Sequence, residues 1–153
     1  MQGRAWGNEF RTTTVCVDEY DGQVPKGRLY NPYWGMVPFS SLMEFLLSME
    51  ELLDSMNFPQ SFTAARSFSQ PREGMEYIPS EGEIQAGKCG TFAVRVYFRQ
   101  NASWQGSVSW LEGGREERFR SVLELAFLLN SALSGEGPPQ TAKRTAASAS
   151  CSA

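Results

Sequence analysis

The side chains best suited to binding in this sequence are arginines that alternate with aromatic residues in the stretch "FAVRVYFRQ", residues 92–100. Alternation of apolar and polar residues is typical of a strand with one buried face. The apolar face would hold Phe92, Val94, Val96 and Phe98, and the outward face would hold Arg95, Tyr97 and Arg99. Arg28 and Tyr30 alternate in the same way, and Trp104 flanks the next strand.

Exposed rings and guanidinium groups on a sheet are the surface on which single-stranded nucleic acids stack their bases and place their phosphates. The sequence therefore predicts a binding site for single-stranded DNA or RNA formed by Arg95, Tyr97, Arg99, Arg28, Tyr30 and Trp104. The alternative is a solvated sheet face with ordinary cross-strand Arg–Tyr pairs.

Catalytic chemistry has little support in this sequence. The chain contains no histidine, which excludes Ser-His and Cys-His nucleophilic pairs, histidine general bases and histidine metal ligands. Glycine-rich phosphate-binding motifs are also absent from the sequence. Asp18, Glu19 and Asp21 could act as acids or bases, but carboxylates beside a strand are more typical of its solvated end. We therefore expect a non-enzymatic protein with no cofactor and no metal, and an enzyme that uses Asp18 or Glu19 is a third class.

The bulk composition limits the choice of partners. A net charge of −3 and a pI near 5.1 argue against wholesale binding to nucleic acid or to an anionic membrane, although a local basic patch is compatible with both values. No apolar run approaches the roughly 18 residues of a membrane-spanning helix, and "MQGRAWGNEF" offers no secretory signal. Three widely spaced cysteines without CxxC spacing indicate reduced thiols. We expect a cytoplasmic protein with no membrane partner.

The elements that would position these residues occur twice in the chain. "FSSLMEFLLSM" (residues 39–49) and "FRSVLELAFLL" (residues 119–129) share Phe, Ser and Glu at an offset of 80 (119 − 39). Upstream, Gly27 matches Gly106, and Val15 and Val17 match Val94 and Val96, at an offset of 79 (106 − 27). Self-similarity of this kind indicates an internal repeat, and the change of offset predicts a single insertion in one loop.

Each copy predicts two or three strands followed by a helix. Residues rich in β-branched and aromatic side chains favour strands, and Ser41-x-x-Glu44 and Ser121-x-x-Glu124 have the pattern of capping boxes at helix starts. Pro32 and Pro38 predict that the third strand of the first copy is short, irregular or at an edge of the sheet. We predict an α+β fold of two β-β-(β)-α repeats with pseudo-two-fold symmetry, an antiparallel sheet packed by two helices.

The predicted boundaries follow from the same pattern. A single domain would span residues 1–134, with the first repeat at about 12–56, a linker at 57–90 and the second repeat at about 91–134. Residues 135–153 have small side chains without apolar periodicity, which indicates a disordered tail.

A second apolar stripe on each helix provides an alternative function. Met43 and Leu47 in the first helix are matched by Leu123 and Phe127 in the second. Such a stripe packs against the other helix or against another protein chain. The first 57 residues are also acidic, with four basic and eight acidic side chains. The alternative is therefore a protein-binding module, including a homodimer or an inhibitor of a host or phage-defence enzyme of the anti-CRISPR kind.

The repeated plan of strands and a helix that ends in "FRSVLELAFLL" resembles the repeats of the Pur-alpha family and, more widely, of the Whirly-type binders of single-stranded DNA. The resemblance implies that two β-rich repeats intertwine or dimerise and bind single strands on the sheet. The phrases "GRLYNPY", "NFPQSFTA" and "RQNASWQGSVSWLEGGREERFRSVLEL" are similar to small uncharacterised proteins of gut Firmicutes that are associated with mobile elements.

Overall fold

The computed structural model describes residues 8–61, 66–68 and 84–135. In chain order, the elements are α1 (Asn8–Arg11), β1 (Thr12–Asp21), β2 (Val24–Asn31), β3 (Gly35–Phe39), α2 (Leu42–Met56), β4 (Gly90–Phe98), β5 (Gln105–Trp110), β6 (Arg115–Phe119) and α3 (Val122–Ser134). Three strands followed by a helix thus occur twice.

The strands form one antiparallel sheet in the order β3-β2-β1-β4-β5-β6. Six antiparallel strands with two long helices confirm the predicted α+β class. Of the three alternatives predicted for the third strand, β3 shows the edge position: Pro38 lies on this strand, opposite Arg28 of β2. Proline has no N–H to donate to a further strand, so an edge accommodates it.

The core lies on one face of the sheet, beneath α2 and α3. Val15 and Val17 of β1 and Phe92 and Val94 of β4 belong to one buried cluster with side chains of both helices. Burial of each such side chain contributes about 1.5–3 kcal/mol. Since side chains alternate along a strand, the residues between them, such as Cys16 and Ala93, belong to the opposite face.

Both long helices begin at the predicted serine caps. Ser41 Oγ accepts a hydrogen bond from the backbone N–H of Glu44 at 3.1 Å, and Ser121 Oγ accepts one from that of Glu124 at 3.1 Å. Each glutamate reaches back to a backbone N–H one residue before the serine, at Ser40 in the first helix. These bonds satisfy amide groups that a helix start otherwise leaves free.

Two matched glycines occupy positions that no other residue can take. A Cβ on Gly27 would lie 1.9 Å from the carbonyl oxygen of Cys16, and one on Gly106 would lie 1.8 Å from that of Arg95. Next to each close approach the register of the neighbouring strand shifts, between Val17 and Glu19 in β1 and between Val96 and Phe98 in β4. Residues 18 and 97 are therefore the extra residues of β-bulges.

The two halves differ in one turn. Asn31 pairs with Gly35, which leaves three residues between β2 and β3, whereas Trp110 pairs with Arg115, which leaves four residues between β5 and β6. The connection between β5 and β6 is thus one residue longer than the connection between β2 and β3.

Several sequence-based predictions concern residues outside the described ranges. Most of the linker at 57–90 and nearly all of the tail at 135–153 lie there, as does Cys151. Cys16 is a free, buried thiol, and the Sγ atom of Cys89 lies 3.3 Å from the backbone carbonyl oxygen of Asp18. Among the described residues, no helix is both long enough and apolar enough to cross a membrane.

Candidate functional site

The candidate surface is the face of the sheet opposite the helices, called the strand face below. Cross-strand pairing defines its members, because paired residues point to the same side of a sheet. They include Met36, Pro38, Val24, Lys26, Arg28, Tyr30, Thr12, Thr14, Cys16, Glu19, Asp21, Thr91, Ala93, Arg95, Ser107, Ser109, Glu116 and Arg118, together with Tyr97, whose hydroxyl contacts Ser107.

Arg95 and Tyr97 are exposed on this face, as the alternation in β4 predicts. Arg95 Nε donates a hydrogen bond of 2.9 Å to Thr12 Oγ1 across the β1–β4 pair, which leaves the terminal nitrogens of the guanidinium group directed away from that contact. The hydroxyl of Tyr97 lies 3.0 Å from Ser107 Oγ, and the side chain is 44% exposed. A cation and a ring thus stand two residues apart on one strand.

Arg118 lies on the same face as Arg95 and Tyr97, although the alternation of residues in β4 does not predict it. Arg95 pairs with Ser107, and Ser107 pairs with Arg118, so the three residues form one row across β4, β5 and β6. Arg118 is exposed, and its Cα lies about 9–10 Å from that of Arg95, two strand spacings away. The Gly113-Gly114 turn marks the hairpin in the sequence, but only its register identifies which arginine of β6 faces Arg95.

Arg28 and Tyr30 lie on the strand face two strands away from Arg95, on β2. The guanidinium group of Arg28 is engaged by Asp18, at 3.1 and 3.3 Å, and it also donates to the carbonyl oxygens of Gln85 and Ala86. Tyr30 is half-buried and pairs with Thr14 of β1. Arg28 is therefore occupied by partners within the chain, whereas Tyr30 presents part of its ring.

The prediction that Arg99 lies on the outward face is wrong. Its side chain is 3% exposed; Nε donates to the carbonyl oxygen of Pro59 at 2.6 Å, and Nη1 donates to Asp54 Oδ1 at 2.5 Å. The bulge at Tyr97 explains the error, because one extra residue inverts the alternation after Val96. Phe98 consequently becomes exposed and Arg99 points toward α2.

Trp104 is also absent from the strand face. The residue is 2% exposed, its indole N–H donates to Glu50 Oε1 of α2, and its ring packs edge-on against Phe45 at a centroid distance of 6.4 Å. Trp104 thus belongs to the core between the sheet and α2, and the prediction of a stacking role at the surface is wrong in its placement.

Asp18 and Glu19, two of the carboxylates that could act as acids or bases, have structural partners. Asp18 pairs with Arg28 and accepts from the backbone N–H of Lys88 at 3.2 Å, and Glu19 lies 4.0 Å from the ammonium group of Lys26. Burial raises the pKa of the Cys16 thiol, so this cysteine is not an activated nucleophile. Within the described ranges, no group of three Cys, Asp or Glu side chains is placed to hold a metal ion.

The residues of the predicted protein interface lie on the outer sides of the helices. Met43 and Leu47 are 65% and 56% exposed on α2, and Leu123 is 62% exposed on α3. Phe127, one turn after Leu123, is half-buried. Three of these four apolar side chains thus present most of their surface to solvent.

Comparisons of this chain with protein-family models, with curated proteins and with solved structures found no match.

Proposed function

We propose that this protein is a non-enzymatic binding protein that holds single-stranded DNA or RNA on the strand face. The observation that carries the proposal is the cluster of Arg95, Tyr97 and Arg118, which are all exposed on one face and connected through Ser107. In binders of single strands, arginines contact the phosphates and bases stack on aromatic rings. The cluster provides both kinds of group within three neighbouring strands.

The part of the strand face beside Arg95, Tyr97 and Arg118 is suited to a flat ligand. Thr12, Thr14, Ala93 and Ser109 are each partly exposed and occupy the middle of the strand face. Their side chains are short, so a base can approach the sheet closely beside the ring of Tyr97. The hydroxyl groups are also able to donate hydrogen bonds to base edges or to phosphate oxygens.

The charges on this face are mixed and mostly paired. Its described residues include Lys26, Arg28, Arg95 and Arg118, and the carboxylates on the same side include Asp18, Glu19, Asp21 and Glu116, of which Glu19 lies 4.0 Å from the ammonium group of Lys26. Because Asp18 pairs with Arg28, the positive charge available to a phosphate comes from Arg95 and Arg118. A local cationic patch of this kind is compatible with a net charge of −3.

We further infer that the two halves are repeats related by a pseudo-two-fold axis between β1 and β4. The matched glycines, the matched bulges and the matched serine caps support this inference. Contacts between the halves support it as well: Tyr20 of β1 donates to Asn130 of α3 at 2.5 Å, and Arg99, the residue after β4, lies 3.6 Å from Glu50 of α2. Tyr20 and Arg99 match at an offset of 79, and Glu50 and Asn130 match at an offset of 80.

The experiment that tests the proposal is a fluorescence-anisotropy titration of labelled single-stranded DNA and RNA at two salt concentrations. The test variant is the double substitution Arg95→Ala with Arg118→Ala. We expect the wild type to bind more weakly as salt rises, because counterions compete for the phosphates. Loss of two phosphate contacts should also reduce the slope of log K against log salt by about 1.4, at about 0.7 for each contact with a single strand.

A matched control variant distinguishes the loss of the proposed binding surface from the loss of two positive charges elsewhere on the protein. Arg115→Ala with Arg120→Ala removes the same two charges, but Arg115 lies on the helix side of β6 and Arg120 pairs with Glu124 of α3. This control should bind like the wild type. Absence of binding at low salt, or equal losses in the two double variants, would refute the proposed surface.

The exposed apolar side chains favour a second candidate, a protein interface on the helices. Met43, Leu47 and Leu123 are each more than half exposed, and Met43 and Leu47 are neighbours one turn apart on α2; exposed apolar side chains that adjoin each other mark contact sites between proteins. A second copy of the chain is the simplest occupant. Sedimentation velocity over a wide concentration range tests it: dimers should form in the wild type and be lost in Met43→Glu with Leu123→Glu, and a wild type that stays monomeric refutes self-association.

A further inference from the structure

A cavity lies between the C-terminal half of α3 and the β5–β6 hairpin, on the helix side of the sheet. Its volume is about 340 Å³, at the lower end of the roughly 300–1,000 Å³ of small-molecule pockets. Its wall is formed mostly by apolar side chains: Phe92, Val108, Trp110, Leu128 and Ala132. The cavity is thus distinct from the strand face, which lies on the other side of the same sheet.

The polar groups of this cavity carry no net charge. Arg115 and Glu117 of β6 line it, and their charged groups are 3.8 Å apart. The third polar side chain, Ser131, donates its hydroxyl hydrogen to the carbonyl oxygen of Leu128 at 2.8 Å. A ligand therefore meets an apolar wall and a balanced ion pair, which favours an uncharged molecule.

The matching region of the first half is filled by the chain itself. Tyr33 and Trp34 belong to the three-residue turn between β2 and β3; Trp34 is completely buried, and the Tyr33 hydroxyl donates to the carbonyl oxygen of Ser55 in the last turn of α2 at 3.3 Å. Ser55 matches Gly135, which lines the cavity (135 − 55 = 80).

The turn between β5 and β6 has no such aromatic residues. The residues of this turn are Leu111, Glu112, Gly113 and Gly114, where the first half has Pro32, Tyr33 and Trp34. The ring of Trp110 lies directly against Gly113, where an added Cβ would be 2.1 Å from a ring carbon. The second half thus keeps the surrounding strands and helix but lacks the rings that fill the space in the first half.

We propose that this cavity is a binding site for a small, uncharged, planar aromatic molecule of about the size of indole. Such a ligand takes the place that Tyr33 and Trp34 occupy in the other half. Phe92 and Trp110 offer it edge-to-face or offset-stacked contacts, which are favourable beyond the burial of apolar area. A ring N–H of the ligand can donate to the carboxylate of Glu117.

The test uses indole itself as the probe, with the full chain. Binding is measured by calorimetry and by ¹H–¹⁵N NMR, where the indole N–H of Trp110 and the amide of Gly135 report on the cavity directly. We expect saturable binding with shifts concentrated at these two groups. Ala132→Phe places a ring inside the cavity and should weaken indole binding at least tenfold, whereas Leu123→Phe, at an exposed position of the same helix, should leave it unchanged.

Three results would overturn the proposal: no saturable binding of indole, unchanged affinity in a folded Ala132→Phe variant, or equal affinity for a saturated ring of the same size. If Ala132→Phe does not fold, Ser131→Phe from the adjacent wall position replaces it and must show the same loss. Because the cavity and the strand face lie on opposite sides of the sheet, the Arg95→Ala with Arg118→Ala variant should bind indole like the wild type. The two proposals can therefore fail separately.

Discussion

Replacing Arg99 by alanine should destabilise the fold, although the same change at Arg95, four residues earlier, should not. Arg99 is buried and donates to Asp54 Oδ1 and to the carbonyl oxygen of Pro59, and it lies 3.6 Å from Glu50. Arg95 is exposed and makes one hydrogen bond to Thr12. The two arginines have the same chemistry, so the comparison isolates the effect of their positions.

The expected loss of stability in Arg99→Ala depends on what happens to each hydrogen-bond partner of Arg99 when its side chain is removed. Side chains of Asp54 and Glu50 are 64% and 43% exposed, so water solvates their carboxylates and the roughly 3–5 kcal/mol of an abandoned buried charge does not apply in full. What is lost is a hydrogen bond to a charged group, about 1.5–3 kcal/mol, and the donor for the Pro59 carbonyl group, about 1–3 kcal/mol. We expect Arg99→Ala to cost about 3 kcal/mol and Arg95→Ala less than about 0.5 kcal/mol.

Urea denaturation followed by tryptophan fluorescence measures both values, with the m-value as a check that the unfolding transition remains two-state. In thermal unfolding, the Arg99 variant should melt about 6–12 °C below the wild type, at about 2–4 °C for each kcal/mol. A loss below about 1 kcal/mol for Arg99→Ala, or similar losses for the two variants, would mean that Arg99 is not buried between β4 and α2.

Three further changes test other parts of the fold. Ser121→Ala should lower the free energy of unfolding by about 1 kcal/mol in urea titration, because the cap of α3 is lost. Gly106→Ala should prevent native pairing of β4 with β5, since its Cβ would lie 1.8 Å from the carbonyl oxygen of Arg95; a native circular-dichroism melt would contradict this contact. The hydrogen bond from Arg120 lowers the pKa of Glu124, so the pair stabilises the fold above the unfolded pKa of about 4.3, and this contribution disappears as pH falls through the lower folded value. The stability deficit of Glu124→Gln should thus be present at neutral pH and shrink in acid, as measured by urea titration at several pH values.

Structural features that depend only on residues close together in the chain could be predicted from the sequence. Ser41 and Ser121 cap their helices because the bond runs only three residues ahead, to Glu44 and Glu124. The edge position of β3 also depends on a local property, the missing N–H of Pro38. In such cases the residues that decide the structure are within one turn or one strand of each other.

Features that depend on distant partners could not be predicted in this way. Trp104 is buried because Glu50, 54 residues away in the sequence, accepts its N–H and Phe45 packs on its ring. Arg118 shares a row with Arg95 only through the registers of two strand pairs. The alternation of residues along one strand contains no information about either contact. A prediction based on it therefore includes Trp104 in the candidate surface and leaves out Arg118.

The burial of Arg99 is a different case, because the sequence contains a signal for it in Gly106. A glycine inside a strand marks a bulge or a close approach of two backbones, and Gly27 and Gly106 each lie opposite such a bulge. Inverting the alternation after each bulge turns the matched residues Tyr20 and Arg99 toward the helices, where both are buried.

Each of these two side chains then reaches the helix of the other half, Tyr20 at Asn130 and Arg99 at Glu50. The bulges therefore create two of the polar contacts between the halves, and a residue with this role is not available to a ligand. Since the inversion applies only after the bulge, Arg95 keeps its outward position and Tyr97, the bulged residue itself, remains beside Ser107. For this reason the nucleic-acid surface that we propose centres on Arg95, Tyr97 and Arg118, and a loss of nucleic-acid binding in a folded Arg99 variant would count against it.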